Sequence, residues 1–199
     1  MSDALARQIA ALLGSRICHD LISPIGAISN GVELLAMSGV QAGPEVALIA
    51  ESVDNANARV KFFRVAFGMA SEGQTAPRAE MASIFAGLNS ARLTMDWAVT
   101  EDALRDEAKL ACLMVMCLET ALPRGGAIRV CNEDGKWTVE ARSDRLAPAA
   151  ELWARLGSVT AAEGLKPSEI QFLLAPLQAS LLGRKIGHET REDYLKLTA

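Results

Sequence analysis

The sequence predicts an α+β protein in two parts. An N-terminal antiparallel helical hairpin over residues 1–72 forms a dimeric four-helix bundle, and an α/β sandwich domain follows over residues 78–199. Three observations predict this. Apolar residues recur at steps of three and four at Leu5, Ile9, Leu12/Leu13, Ile17, Leu21, Ile25, Ile28, Val32 and Leu35, the period of one buried helix face. A second row of that kind runs through Val46, Ile49/Ala50, Val53, Ala56, Val60, Phe63 and Phe67. Beyond the linker, short alternating stretches flank Asp134-Gly135, a hairpin signal.

The first helix spans 3–38, with Ser2 or Asp3 as N-cap. Ser38 to Gly43 is a turn, and Pro44 suits the first position of a second helix that ends near Ala70. A short connection between two such helices makes them antiparallel. Ser71 to Pro77 is the linker. A helix is expected over Met81–Leu88, a strand over Arg92–Val99, and a long helix over Asp106–Leu122 capped by Asp106. Strands at Ala127–Asn132 and Lys136–Ala141 form the hairpin. Helices at Ala147–Leu156 and Ser168–Leu182 follow, and Lys185–Glu189 and Tyr194–Leu197 complete the sheet. No internal repeat interrupts this order.

Helix length points to association. A helix of roughly 35 residues is about 50 Å long, whereas a compact chain of this size has a radius of gyration of about 16 Å. The hairpin therefore projects, and its apolar stripe needs a partner. Pairing two hairpins buries it, so residues 1–72 are expected to form a homodimer.

Composition excludes several classes. The chain has 199 residues, 50% hydrophobic and 22% charged, with a net charge of −4 and a pI near 5.3. It lacks the basic surface that nucleic-acid binding needs. Neither a basic-then-apolar leader nor an apolar run long enough for a membrane is present, so a cytoplasmic location is expected. Cys18, Cys112, Cys117 and Cys131 lack metal or redox spacing and read as reduced thiols. No metal site is expected: beside Cys18, His19 and Asp20 no fourth ligand stands at suitable spacing.

His19 stands off the apolar stripe. At about 100° per residue it points with Ile22/Ser23, Gly26, Asn30, Glu33 and Met37, a small and polar row. An imidazole displayed on the open side of a helix is a good nucleophile near neutral pH. Asp20 beside it can hydrogen-bond the ring or raise its basicity. Pro24 removes the backbone bond to the Asp20 carbonyl, a cost of about 3 kcal/mol. His188, in a C-terminal strand, reads as structural.

His19-Asp20-Leu21-x-x-Pro24, followed by Ala27 and by Asn30-Gly31-x-Glu33-Leu34-Leu35, resembles the phosphoacceptor helix of two-component histidine kinases. With Leu122-Pro123-Arg124-Gly125-Gly126 downstream, the closer resemblance is to the ChpT-type histidine phosphotransferases. That resemblance implies that the second domain is similar to the kinase ATP-binding domain without its nucleotide site. Where kinases carry an asparagine-rich box, this chain has Leu113 to Ala121 with Glu119 as the one hard oxygen ligand. Where they carry glycine loops, it has Ser143 to Pro148 and Gly164 to Ser168, with too few glycines to cradle phosphates.

The implied activity is phosphoryl relay: His19 accepts from the aspartate of a hybrid kinase's receiver domain and passes the group to a response regulator's receiver. No cofactor of its own is implied, since magnesium sits in the receiver. A receiver brought in line with His19 would lie against Ile22, Gly26, Ala27, Asn30 and Glu33, and Lys61 and Arg64 of the second helix would meet its acidic surface. Two other readings are an active histidine kinase with a degenerate nucleotide site and a non-catalytic dimeric scaffold that binds receivers.

Overall fold

The computed structural model describes residues 3–38, 43–159 and 163–199. Helices α1 (Asp3–Ser38) and α2 (Pro44–Phe67) form the hairpin, and Pro24 sits inside α1 without ending it. Ser2 and the turn residues Gly39 to Ala42 lie outside the described residues. The helices pack closely at Gly31, where a Cβ would overlap Ile49 Cγ1. That contact fixes the antiparallel register, so a step down α1 matches a step up α2. His19 and Asp20 then lie level with Val60 and Lys61.

The remaining elements are β1 (Thr75–Ala76), α3 (Arg78–Gly87), β2 (Leu93–Trp97), β3 (Ala103–Leu104), α4 (Arg105–Glu119), β4 (Gly126–Glu133), β5 (Lys136–Arg142), α5 (Ala150–Trp153), α6 (Gln171–Leu181), β6 (Gly187–Thr190) and β7 (Tyr194–Thr198). The main sheet has the order β2-β4-β5-β7-β6, parallel between β2 and β4 and antiparallel elsewhere. Period-two alternation buries Met95, Trp97, Ile128, Val130, Trp137, Val139, Ala141, Leu195 and Leu197 on one face. The opposite face carries polar pairs such as Arg129 with Asp96 at 3.6 Å and Lys196 with Glu140 at 3.8 Å. β6 is one of the sheet's two edge strands and is exposed along its length.

Several element limits differ from the sequence expectation. The linker contributes β1, which pairs with β3. α4 is capped by Leu104, so Asp106 is a first-turn residue and not the N-cap; its carboxylate accepts from Gln178 Nε2 at 3.4 Å. The expected helix at Ala147–Leu156 shrinks to one turn, α5, between Pro148 and the turn toward Gly157. The expected helix from Ser168 divides into a 3₁₀ turn, Pro167–Glu169, and α6.

Helix α4 is the centre of the core. Leu110 through Leu118 are fully buried, since a helix apolar on every side must be covered on every side. The sheet covers one side, α6 another and α2 a third. Phe85, Trp97 and Trp137 form a chain of rings with centroids 5.1 and 5.7 Å apart at its sheet side.

The hairpin is stitched to the sheet-bearing part by cations. Arg105 Nη1 donates to the Val65 carbonyl at 2.7 Å, and Nη2 donates to that of Arg64. Lys109 Nζ donates to the Gly68 carbonyl at 3.1 Å. These groups meet carbonyls of the last α2 turn and its cap, of which that of Arg64 also accepts the Gly68 backbone N–H at 3.2 Å. Leu165, Ile170 and Leu173 pack against Ile9, Leu12 and Leu13 of α1.

Candidate active site

The outward row of α1 is open where its side chains are described. Gly26, Asn30 and Glu33 are exposed, Met37 is 85% exposed, and a Cβ on Gly26 would meet nothing within 4 Å. The side chains of His19 and Ile22, like that of Cys18, lie outside the described residues. On α2, Lys61 is exposed. Arg64 is exposed too, but its guanidinium lies 3.0 Å from Glu80 of α3.

Ala27 is half-buried and faces a groove of about 690 Å³ between the hairpin and the end of α3, lined by Pro24, Leu48, Glu51, Asn55, Gly87 and Ser90 among others. The groove exists because α3 approaches α2 through small residues: a Cβ on Gly87 would come within 2.7 Å of Ala58 Cβ.

Asp20 is held by a residue that the motif does not name. Arg16 Nε lies 2.9 Å from Asp20 Oδ2, one turn earlier on the same helix. Arg16 is buried, and its Nη1 donates to the Ser168 carbonyl at 3.0 Å. The sequence signal for it is the four-residue spacing to Asp20. That spacing usually marks an exposed pair, and it gives no hint of Ser168.

α6 lies over α4, and the side chains of Leu113 through Leu118 are wholly enclosed. Glu119 is engaged by Arg59 of α2 at 3.2 Å, so its carboxylate serves the joint between the two parts. Gly125 and Gly126 adopt φ of 87° and 149°, and a Cβ at either would overlap a backbone carbonyl, of Arg92 and Arg142 respectively. The pair thus serves the turn into β4.

Burial lowers the Lys109 pKa, with the Arg105 charge adding to that and Asp106 opposing it. Burial also pushes the Cys112 and Cys117 thiols up, which keeps them protonated and inert. His188 is exposed and packs edge-on against Trp153, with centroids 5.7 Å apart. Among the described residues no His/Cys/Asp/Glu cluster fits a metal ion, and no helix is long and apolar enough to cross a membrane.

A long helix carrying His-Asp-Leu-x-x-Pro, joined to an α/β sandwich with a filled core at α4, defines a phosphotransfer protein of the histidine type. The chain belongs to the histidine phosphotransferase family: residues 78–194 match the family model described as the histidine phosphotransferase C-terminal domain. It is 32% identical over 198 residues to the protein phosphotransferase ChpT of Brucella abortus (strain 2308), covering 94% of this chain and 93% of that protein. A solved bacterial phosphotransferase structure superposes with a TM-score of 0.80 at 28% identity, covering 100% of this chain and 97% of the other.

Proposed function

We propose that this chain relays phosphoryl groups between receiver domains through His19. The observation that carries the reading is the motif's placement: His19 lies on the same row as the open residues Gly26, Asn30 and Glu33 of α1. An imidazole nitrogen attacks the acyl phosphate of a receiver in line. The N–P bond forms as the P–O bond to the aspartate breaks, the electron pair leaves with the carboxylate, and the ring proton passes to solvent. The reverse step onto a second receiver completes the relay. A hybrid kinase's receiver is the donor and a response regulator's receiver the acceptor. Magnesium comes with the receiver, whose acidic pocket holds it.

The groove beside Ala27 and the exposed Gly26, Asn30 and Glu33 of α1 support receiver docking on this helix. Ile22 belongs to the same row, and Lys61 stands level with His19 on α2. Arg64 contributes charge near its pairing with Glu80. The enclosed α4 supports transfer without ATP, since opening a nucleotide site there would expose core.

The working unit is a homodimer. Ile25 and Val32 on α1 are 57% and 53% exposed, and Val46, Val53 and Val60 on α2 are 39%, 39% and 49% exposed. Within each helix they stand seven residues apart, the repeat of a bundle seam.

The test uses the full-length protein and a phosphorylated receiver. Acid-labile, base-stable phosphate on wild type and none on His19→Ala is the expected result. Label on His188 or on an aspartate would overturn it. Saturable micromolar ATP binding would favour a kinase, and full relay function in His19→Ala would favour a scaffold.

A further inference from the structure

We infer that the arginine-bearing end of the sheet, with Arg92, Arg124, Arg142 and Arg145, is a second docking surface for the receiver and pairs with carboxylates on it, a reading that rests on the relay through His19. The four arginines leave the chain around one turn. Arg92 precedes β2, whose first residue, Leu93, stands opposite Gly126. Arg124 enters the Gly125-Gly126 turn, where the Gly126 N–H donates to the Arg92 carbonyl at 2.8 Å. Arg142 stands opposite Ala127. Ser143 Oγ donates to the Gly125 carbonyl at 2.7 Å and accepts the Arg145 N–H at 3.3 Å.

All four side chains are exposed. Other exposed arginines are matched, Arg64 by Glu80, Arg129 by Asp96 and Arg191 by Glu189. Among the described residues, none of these four has an ion pair. Arg142 lies over the Tyr194 ring at 4.9 Å. Asp144 lies 3.4 Å from Ser143 Oγ, and Glu192 and Asp193 of the β6–β7 turn are exposed. In a chain of net charge −4, arginines gathered at one end and left unmatched offer their planar donors to carboxylates from elsewhere.

The cluster adjoins the groove beside Ala27. Ser90 lines that groove, and its Oγ accepts the backbone N–H of Arg92 at 3.3 Å and of Leu93 at 3.1 Å. Arg92 thus borders whatever occupies the groove. The α2 wall carries the opposite sign: Glu51 and Asp54 line it, exposed and without an ion pair among the described residues. The surface is therefore bipolar, acidic on α2 and basic at the sheet end. A polyanion such as nucleic acid would suit the arginines and be repelled by the groove, whereas a folded domain can carry both signs in the matching order. Charges at such a rim act on encounter rate and partner choice and leave the chemistry at His19 alone.

The experiment uses the full-length protein and a receiver domain that passes phosphate to wild type, charged with acetyl phosphate. Arg92→Glu combined with Arg124→Glu is expected to lower transfer at limiting receiver about tenfold in low salt. At saturating receiver the rate should stay within about twofold of wild type. Added salt should slow wild type and close the gap between the two proteins. Lys136→Glu, at the opposite end of the sheet, should keep the limiting rate within about twofold of wild type. Equal limiting rates in wild type and the double variant overturn the inference, as does an equal loss in Lys136→Glu, the mark of a response to net charge alone. Should the double variant fail to fold by circular dichroism, Arg92→Gln with Arg124→Gln is read in its place, with a loss of about threefold expected and none overturning. Duplex DNA that binds wild type but not the double variant, with transfer intact in both, also overturns it. His19→Ala run alongside separates the two ideas: label on that variant removes the relay reading and this surface with it, whereas label confined to chains with His19 and equal limiting rates removes this inference alone.

Discussion

Arg105, at the first position of α4, donates to the Val65 carbonyl near the end of α2 at 2.7 Å. The cap of one helix is thus the start of another, although 40 residues separate them. Replacing Arg105 by Ala takes this donor from the Val65 carbonyl, leaves that of Arg64 with the Gly68 N–H alone, and removes a cation from a helix C-terminus. The expected loss is about 2–4 kcal/mol, read as a lower denaturant midpoint, with Arg105→Lys recovering part of it.

Two glycines of α1 should respond in opposite ways. Gly31→Ala forces α1 away from Ile49 and should cost about 1–3 kcal/mol. Gly26→Ala meets open space and should stabilise the helix by up to about 1 kcal/mol. Thermal unfolding of the two variants side by side checks the sign of each.

The valine seam predicts assembly. Val32→Asp or Val53→Asp would place a charge in an apolar dimer interface and is expected to cost several kcal/mol of association. Light scattering should then report monomers. A wild-type chain that is a stable folded monomer at micromolar concentration would refute the seam.

Bulk on the docking row should slow chemistry without disturbing the fold. Gly26→Arg and Asn30→Arg are expected to reduce transfer at least about tenfold, equal to about 1.4 kcal/mol of barrier. Circular dichroism and dimerisation should stay as in wild type. Unchanged rates in both would place receiver docking elsewhere.

Tyr194 sets an alkaline limit. Burial first, and then its hydrogen bond to Glu140, push its phenol up to about 12. An acid whose pKa rises on folding holds its proton longer in the native state, so its contribution is complete below the unfolded value of about 10. That contribution is lost as pH climbs through about 12. Denaturant midpoints should therefore fall over that interval, and Tyr194→Phe should reduce the slope.

Where a feature is periodic, the chain spells it out. The hairpin is legible in the rows through Leu35 and Phe67, the β4–β5 turn in Asp134-Gly135, and the candidate nucleophile in a six-residue motif. The β1–β3 pair is illegible because two residues cannot show a period. The single turn of α5 is overwritten by its flanking Pro148 and Gly157. Leu104 caps α4 although it has no capping side chain, because the bond pattern there is set by Arg105 reaching for α2. Arg16 escapes notice for a similar reason: its partner at Ser168 is a backbone carbonyl, and a backbone atom leaves no mark in composition. Contacts between distant segments, more than any local rule, decide these places.

The edge strand β6 offers one rim of unpaired backbone to anything extended that drifts past. Lys185 stands just before it, and Glu189 and Arg191 meet at 2.5 Å across its end. A foreign strand laying itself along that rim would have to strip water from an ion pair and gain little apolar contact in return. Adhesion is thereby discouraged where it would be indiscriminate. What stickiness the molecule keeps is concentrated on the hairpin, where a partner must match a helix and not merely a backbone.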